Sequence, residues 1–342
     1  MDKQEEPQFN KSLLIYGAGK VGIAIGYLLS EQGYHVSGAV ARSKESLENI
    51  VRFIPGAKPL SSHDKQAIKE AAASASVVLI TTQDFQIQSS CEKLANNGAI
   101  NNTHAVIHMS GAIGLDALES AATIGAGTAV IHPIQSFANI DLAIKRINGS
   151  YFGMTIGDND ANKTRRIALK IIEDLHGTPI NIEDKNKALY HAAACVASNY
   201  LVTLIDFAQY LYKKAGVPND LAVEVMMPLI EGTISNIKEL GTEQALTGPI
   251  VRGDVPTIAH HIEQLEQLEQ INKEERPAGN EQSQQECFMH ADTASDIHER
   301  DVLNTYKVLG RLTVDIALRR NSINQEAATQ ILSLLDKTYN TV

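Results

Sequence analysis

At 342 residues the chain exceeds the usual size of one hydrophobic core, so two domains are expected. A hydrophobic content of 44% and a charged content of 20% describe an ordinary globular protein with a real core to bury. The formal net charge of −10 is mostly local: residues 263–301 hold eleven Asp or Glu against three Lys or Arg, and the near-neutral remainder lacks the basic footprint of a nucleic-acid-binding protein. No unbroken run of eighteen apolar residues exists, so no membrane span is expected. The opening MDKQEEPQFNK is polar and acidic, unlike a signal peptide. Cys91, Cys195 and Cys287 are widely spaced and odd in number, which suits free thiols in a reducing compartment. The expectation is a cytoplasmic protein.

From Ser12 onward, short apolar runs alternate with amphipathic stretches, the pattern of βαβ units and a parallel sheet. The predicted strands are SLLIY (12–16), HVSGAVA (35–41), SVVLITT (76–82), HAVIHM (104–109), TAVIHP (128–133) and SYFGMTIG (150–157). Helical patterns such as VGIAIGYLLSEQG, HDKQAIKEAAASA and DFQIQSSCEKLANNG lie between them, the last with Asp84 as N-cap and Gly98 as stop. DANKTRRIALKIIEDLHG (160–177) reads as a further helix closed by Gly177.

After PINI (179–182) no strand pattern recurs. Residues 185–216 read as one long helix, apolar on most faces and ending at Gly216; such a helix is the centre of a bundle or a subunit interface. Further helices are predicted at about 219–239, 256–275, 300–320 and 323–338. The fold class is therefore an α/β Rossmann domain with a mostly parallel, doubly wound sheet, followed by an all-α domain. Residues 1–11 form a flexible N-terminus, 12–182 the Rossmann domain and 183–342 the helical domain, with a mobile acidic insertion near 270–296. Within that insertion Cys287, His290 and His298 lack a second ligand pair, so no metal is expected.

The sharpest motif is IYGAGKVG, in which Gly17, Gly19 and Gly22 follow a strand and open a helix. Gly17 permits the tight turn, Gly19 admits a pyrophosphate against the backbone, and Gly22 lets helix and strand pack closely. Ala18, Lys20 and Val21 complete a turn whose free N–H groups face the phosphates at the positive end of the helix. An NAD site usually offers Asp or Glu at the end of the second strand, whereas GAVARSKES places Arg42, Ser43 and Lys44 there. A guanidinium and a hydroxyl suit a 2′-phosphate, so NADP(H) is the expected cofactor, with Arg42 as a solvated surface charge the alternative. Thr82, which ends the SVVLITT strand, and Gln83 just after it complete the expected cofactor contacts.

Ligands of open α/β sheets bind beyond the carboxyl ends of the strands, and two ends here carry polar clusters: HMSGAIG, with His108, Ser110 and Gly111, and IHPIQSF, with His132. A neutral imidazole at His132 can exchange a proton with a hydroxyl or carbonyl undergoing hydride transfer; a buried histidine bonded to backbone is the other reading for both rings. Lys187, His191, Cys195 and Asn199 are spaced four apart on one helical stripe. Lys187 or His191 could act as acid or base and Asn199 could orient a substrate, while Cys195 packs; the polar residues could equally cap a bundle. In TGPIVRGDVPT (247–257), Arg252 suits a carboxylate clamp or an internal pair with Asp254.

GAGKVG, HMSGAIGLDAL, HPIQSF, YHAAACVASNYLVTL and LTGPIVRGDVPT together resemble the bacterial Rossmann-like proteins with a helical C-terminal domain of unknown function, usually described as NADP oxidoreductases. The resemblance runs from about residue 12 to 330, and its plan is similar to pyrroline-5-carboxylate reductase, prephenate dehydrogenase and the 6-phosphogluconate dehydrogenase superfamily. It implies a helical domain that covers the nicotinamide and makes a homodimer. The His-Pro segment looks like that of prephenate dehydrogenases, which implies a catalytic role for His132. The superfamily's lysine and asparagine stand four residues apart, whereas Lys187 and Asn199 are twelve apart, so that pair does not transfer cleanly. The resulting expectation is an NADP(H)-dependent oxidoreductase acting on a small, carboxylate-bearing substrate in an inter-domain cleft. His132 would exchange the proton, Ser110 and Asn199 would orient the substrate, and Arg252 would hold an anionic group. The alternatives are an NADP(H) sensor or scaffold without turnover and an enzyme passing hydride between NADP and a deazaflavin.

Overall fold

The computed structural model describes residues 10–274 and 301–336. Most of the acidic insertion expected near 270–296, with Cys287, His290 and His298, lies outside the described residues. The first strands and helices alternate as β1 (Ser12–Tyr16), α1 (Lys20–Glu31), β2 (His35–Ala41), α2 (Lys44–Phe53), β3 (Pro59–Ser61), α3 (Lys65–Ala73), β4 (Val77–Ile80) and α4 (Ile87–Asn96). Next come β5 (Ala105–His108), α5 (Glu119–Thr123), β6 (Gly127–Pro133), α6 (Ile140–Ile147), β7 (Tyr151–Ile156), α7 (Ala161–Asp174) and β8 (Thr178–Asn181). The helical remainder is α8 (Lys187–Ala197), α9 (Asn199–Lys214), α10 (Ala222–Ala245), α11 (Val255–Glu274), α12 (Val302–Arg319) and α13 (Gln325–Asp336).

The strands form one eight-stranded sheet in the order β3-β2-β1-β4-β5-β6-β7-β8. Every neighbouring pair is parallel except β6 and β7, so the mostly parallel, doubly wound sheet expected from the sequence is present. Successive side chains of a strand face opposite ways, and both faces are apolar here. Leu13, Ile15, Leu79, Ile107 and Ile131 enter one core, while Leu14, Tyr16, Val78, Ile80 and Val106 enter the other. Each such fully buried Leu or Ile contributes about 1.5–3 kcal/mol, which makes the sheet a firm base for whatever its strand ends carry. Side-chain caps start three of the covering helices: Ser43 accepts from Ser46 N–H, Asp64 from Ala67 N–H and Asn139 from Leu142 N–H.

The chain divides into two compact units, 1–201 and 202–342. The change of pattern at 182 therefore marks the last strand rather than the division, because α8 stays with the sheet through contacts described below. The helix expected over 185–216 runs as α8 and α9, joined at Ser198, whose φ −118° and ψ −66° distort the turn within the right-handed region. Serine and asparagine at that point offer side chains that compete for backbone groups, which favours such a distortion. Gly98 and Gly216 do stop their helices at positive φ. Asp84 does not cap α4; it opens a short 3-10 turn and its side chain makes no cap bond. At the end of α7 the left-handed residue is His176, not Gly177. Gly177 is needed for space, since a Cβ there would collide with the Phe152 ring.

In the second unit Ile258, Ile262, Val314, Ile331 and Leu335 form a core shared by α11, α12 and α13. Phe207, Leu265 and Val302 form a smaller one. The helix α10 is kinked at Gly241 and buries only Ala222, Met226 and Ala245. Val225, Leu229, Ile237 and Leu240 are exposed along it, and Leu189, Val196 and Tyr200 along α8 and the start of α9. The stretch 184–214 is long and apolar enough to cross a membrane by length and composition, and its most apolar window is unburied.

Candidate active site

The glycine turn lies at the C-terminal end of β1. Gly17 adopts φ +106°, and a Cβ there would stand 2.6 Å from the Thr82 backbone nitrogen. Thr81 closes the turn by donating its hydroxyl to the Gly17 carbonyl at 2.8 Å. Gly22 packs against the strand, since a Cβ would meet the Gly17 carbonyl at 2.9 Å and Ile15 at 3.1 Å. Gly19 differs from both: it is the N-cap of α1, and the space where its Cβ would sit is open within 4 Å. Ala18 is buried and hydrogen-bonded to Val40, while Lys20 and Val21 begin α1, whose first-turn N–H groups have no helical acceptor.

A cavity of about 810 Å³ opens over this turn. Its wall includes Gly17, Gly19, Thr82 and Gln83 at one side and Arg42 and Ser43 at the other. Arg42 and Lys44 are exposed, and Lys44 spends its charge on a surface pair with Glu48. His63 and Lys65, from the segment between β3 and α3, join Arg42 on the same wall. Sequence reasoning missed that pair because β3 is only three residues long. The Thr82 hydroxyl is buried without a partner among the described residues. A left-handed glycine, an open Cβ position, an orphan hydroxyl and a basic far wall together fit a dinucleotide that carries an extra phosphate.

Two strands further along, β5 and β6 end in histidines with different surroundings. His108 is fully buried; Nδ1 accepts the Ser110 N–H at 3.2 Å and Nε2 bonds the Gly114 carbonyl at 3.0 Å. Burial, and then the nearby Lys187 charge, pull its pKa down to about 4, against the Gly114 bond. Ser110 is also turned inward, its hydroxyl oxygen accepting the N–H groups of Ala112 and Ile113 at 3.1 Å each. The half-buried His132 bonds the Tyr190 hydroxyl through Nδ1 at 2.8 Å, and its Nε2 has no partner among the described residues. Burial, followed by His191 and Lys187, also holds His132 near 4. Both rings are neutral at neutral pH.

The helix α8 brings Lys187, Tyr190, His191 and Cys195 to this end of the sheet. Asp184 secures its start by accepting the Leu115 N–H at 3.0 Å. The His191 ring stands 6.1 Å from the His132 ring, edge to face. Gly111 makes that approach possible, because a Cβ there would lie 2.7 Å from His132 Cε1 and 2.8 Å from His191 Nδ1. That Nδ1 is buried and unpaired among the described residues, while Nε2 of the same ring lies 3.5 Å from Cys195 Sγ. Lys187 is only 3% exposed and makes neither a hydrogen bond nor an ion pair among the described residues. Burial pushes its ammonium below the usual lysine range, and Asp184 and Asp84 oppose the shift.

The structure thus brings together Ser110, His132, Lys187 and His191. Asn199 is exposed beyond the distorted turn at Ser198, so the stripe of four residues is regular only through Cys195. Arg252 belongs to the second unit, on a turn closed by bonds back to Pro249 and Ile250. The alternative reading of Arg252, an internal pair with Asp254, does not form within ion-pair distance; Asp254 accepts from the backbone and hydroxyl of Thr257 and so caps α11. Tyr190 escaped sequence reasoning. The available signal was Gly153 in the middle of a strand, a mark of close approach by another group.

Residues 4–133 match the profile of a Rossmann-like domain, and residues 154–277 that of a domain of unknown function, DUF2520. No curated protein matches. Among solved structures, a protein from Bacteroides fragilis with a provisional NADP oxidoreductase assignment aligns at 21% identity and a TM-score of 0.56, over 74% of this chain and 90% of its own. A Thermotoga maritima protein aligns at 22% identity and a TM-score of 0.57, over 75% of this chain and 90% of its own. The pyrroline carboxylate reductase of Plasmodium falciparum, solved with NADP bound, aligns at 12% identity and a TM-score of 0.51, over 95% and 98%. These likenesses show a shared fold, and the two-domain resemblance drawn from the motifs holds.

Proposed function

We propose that the protein is an NADP(H)-dependent oxidoreductase acting on a small, carboxylate-bearing carbonyl, imine or hydroxy compound. One observation carries this reading: Lys187, buried without a partner, stands in the same cluster as His132, whose Nε2 is unpartnered, on the sheet edge that also carries the glycine turn. A lysine whose stem is held away from water, with no partner for its amine among the described residues, suits the charge of a ligand. Because β1, β4, β5 and β6 are successive neighbours, the histidine end lies on the order of 14 Å from the turn, along the line a dinucleotide takes across a switch point.

Gly17, Ala18, Gly19, Lys20, Val21 and Gly22 would hold the pyrophosphate; Arg42, Ser43 and Lys44 the 2′-phosphate; Thr82 and Gln83 the passage toward the nicotinamide. When bound, the cofactor supplies or takes a hydride at the substrate carbon. His132 exchanges a hydrogen bond with the reacting oxygen or nitrogen, and Lys187 attracts the carboxylate or moves a proton. The Ser110 hydroxyl can still donate, which suits orientation, and His191 closes the wall. Asn199 and Arg252 remain candidates for substrate contact on their side chains' chemistry alone.

We further infer a homodimer through the apolar faces of α8, α9 and α10, since helices this apolar are not stable bare in water. A Leu229→Glu variant should sediment as a monomer. Free thiols at Cys91 and Cys195 agree with a reducing, cytoplasmic compartment. The test of function is NADPH oxidation against a panel of keto acids and cyclic imino acids. Turnover that falls in His132→Asn with NADPH affinity kept supports the proposal. Tight NADPH binding with no turnover across the panel would favour a sensor instead.

A further inference from the structure

We propose that Tyr190 is a positioning residue: its hydroxyl donates to Nδ1 of His132 and fixes the imidazole proton on Nε2, so the ring meets its substrate as a hydrogen-bond donor. The inference rests on the reading of His132 as the site histidine and adds a direction to it.

The geometry defines a socket. The Tyr190 hydroxyl lies 2.8 Å from Nδ1, with the two rings edge to face at 5.5 Å and 89°. Gly153 stands directly opposite His132 across the antiparallel β6–β7 pair. A Cβ at Gly153 would come within 2.5 Å of the Tyr190 oxygen, so the mid-strand glycine exists to admit the phenol. Among the described residues, Nδ1 is the phenol's only side-chain partner.

Chemistry sets the direction of that bond. A phenol is a stronger acid than a neutral imidazole N–H, and an unprotonated imidazole nitrogen is a stronger acceptor than a phenol oxygen. The favoured arrangement is therefore O–H to Nδ1. His191, Lys187 and His108 face the same ring and oppose a second proton on it, so the neutral tautomer is maintained. A neutral ring with its proton on Nε2 cannot accept from a substrate hydroxyl. It can polarise a carbonyl oxygen or an imine nitrogen while hydride adds to the carbon, and the proton that completes the reduction is then left to another group, for which Lys187 is the candidate.

The tautomer is measurable without a substrate. Long-range nitrogen–proton NMR of the full chain, labelled at histidine and assigned by the signals lost in His132→Asn, should show Nδ1 as a bare nitrogen and Nε2 as N–H. In Tyr190→Phe, which keeps the ring, the His132 signals should move to a mixture of tautomers. Gly153→Ala should displace the hydroxyl and give the same mixture, and it serves if Tyr190→Phe fails to fold. A wild-type His132 protonated on Nδ1 overturns the proposal, as do unchanged nitrogens in both folded variants. Failure to bind NADPH would remove the oxidoreductase reading while leaving this result standing.

Discussion

The ends of β5 and β6 offer a controlled comparison. Each strand closes on a histidine, each ring is neutral near pH 7, and burial holds each near 4. His108 spends both nitrogens on the backbone of its own loop, at Ser110 and Gly114. His132 spends one nitrogen on Tyr190 and keeps the other unengaged among the described residues. The depressed pKa therefore does not separate a structural histidine from a candidate catalytic one. The count of engaged ring nitrogens does.

Substitutions should pull the two apart. His132→Asn should lower turnover by roughly 10²–10³-fold, the usual scale of one lost hydrogen-bond donor to developing charge, with a stability loss limited to the lost partner of the Tyr190 hydroxyl. His108→Phe should do the reverse. It strands the Ser110 N–H and the Gly114 carbonyl, at about 1–3 kcal/mol each, and a urea titration would read the loss. Equal effects of both changes on turnover would end the distinction.

Lys187 sharpens the same contrast, because it too is buried without being engaged. Lys187→Met should lose turnover at little or no cost in stability, since the buried stem is replaced by an apolar chain of similar length and a partly desolvated ammonium is removed. A destabilised Lys187→Met would mean that the amine has a structural partner. The pH dependence comes next. Histidines near 4 when folded and near about 6.5 when unfolded leave the unfolded chain with more bound protons between those values. Stability should thus be flat above about pH 7 and fall as pH drops from about 6.5 toward 4, with a shallower slope in His108→Phe.

The sequence made some of this legible and not the rest, for physical reasons. Strand period, the glycine turn and the His-Pro at the end of β6 are local signals, so Gly17, Gly19, Arg42 and His132 were placed correctly at strand ends. The partner of His132 is Tyr190, 58 residues further along the chain, and it reaches the ring only through the space left by Gly153, which the β6–β7 pairing sets opposite His132. The distortion at Ser198 was hidden by an unbroken apolar pattern, and it removed Asn199 from the regular stripe. A satisfied His108 and an unsatisfied His132 are indistinguishable by residue type.

The most direct test of the account is titration with NADPH and NADH, followed by nicotinamide fluorescence, in the wild type and Arg42→Ala. The account predicts tight NADPH binding, weaker NADH binding, and a loss of about 10–100-fold for NADPH alone in the variant, the worth of one charge-assisted contact. Equal affinity for the two nucleotides, unchanged by Arg42→Ala, would contradict the phosphate assignment, and no binding of either would contradict the cofactor site itself.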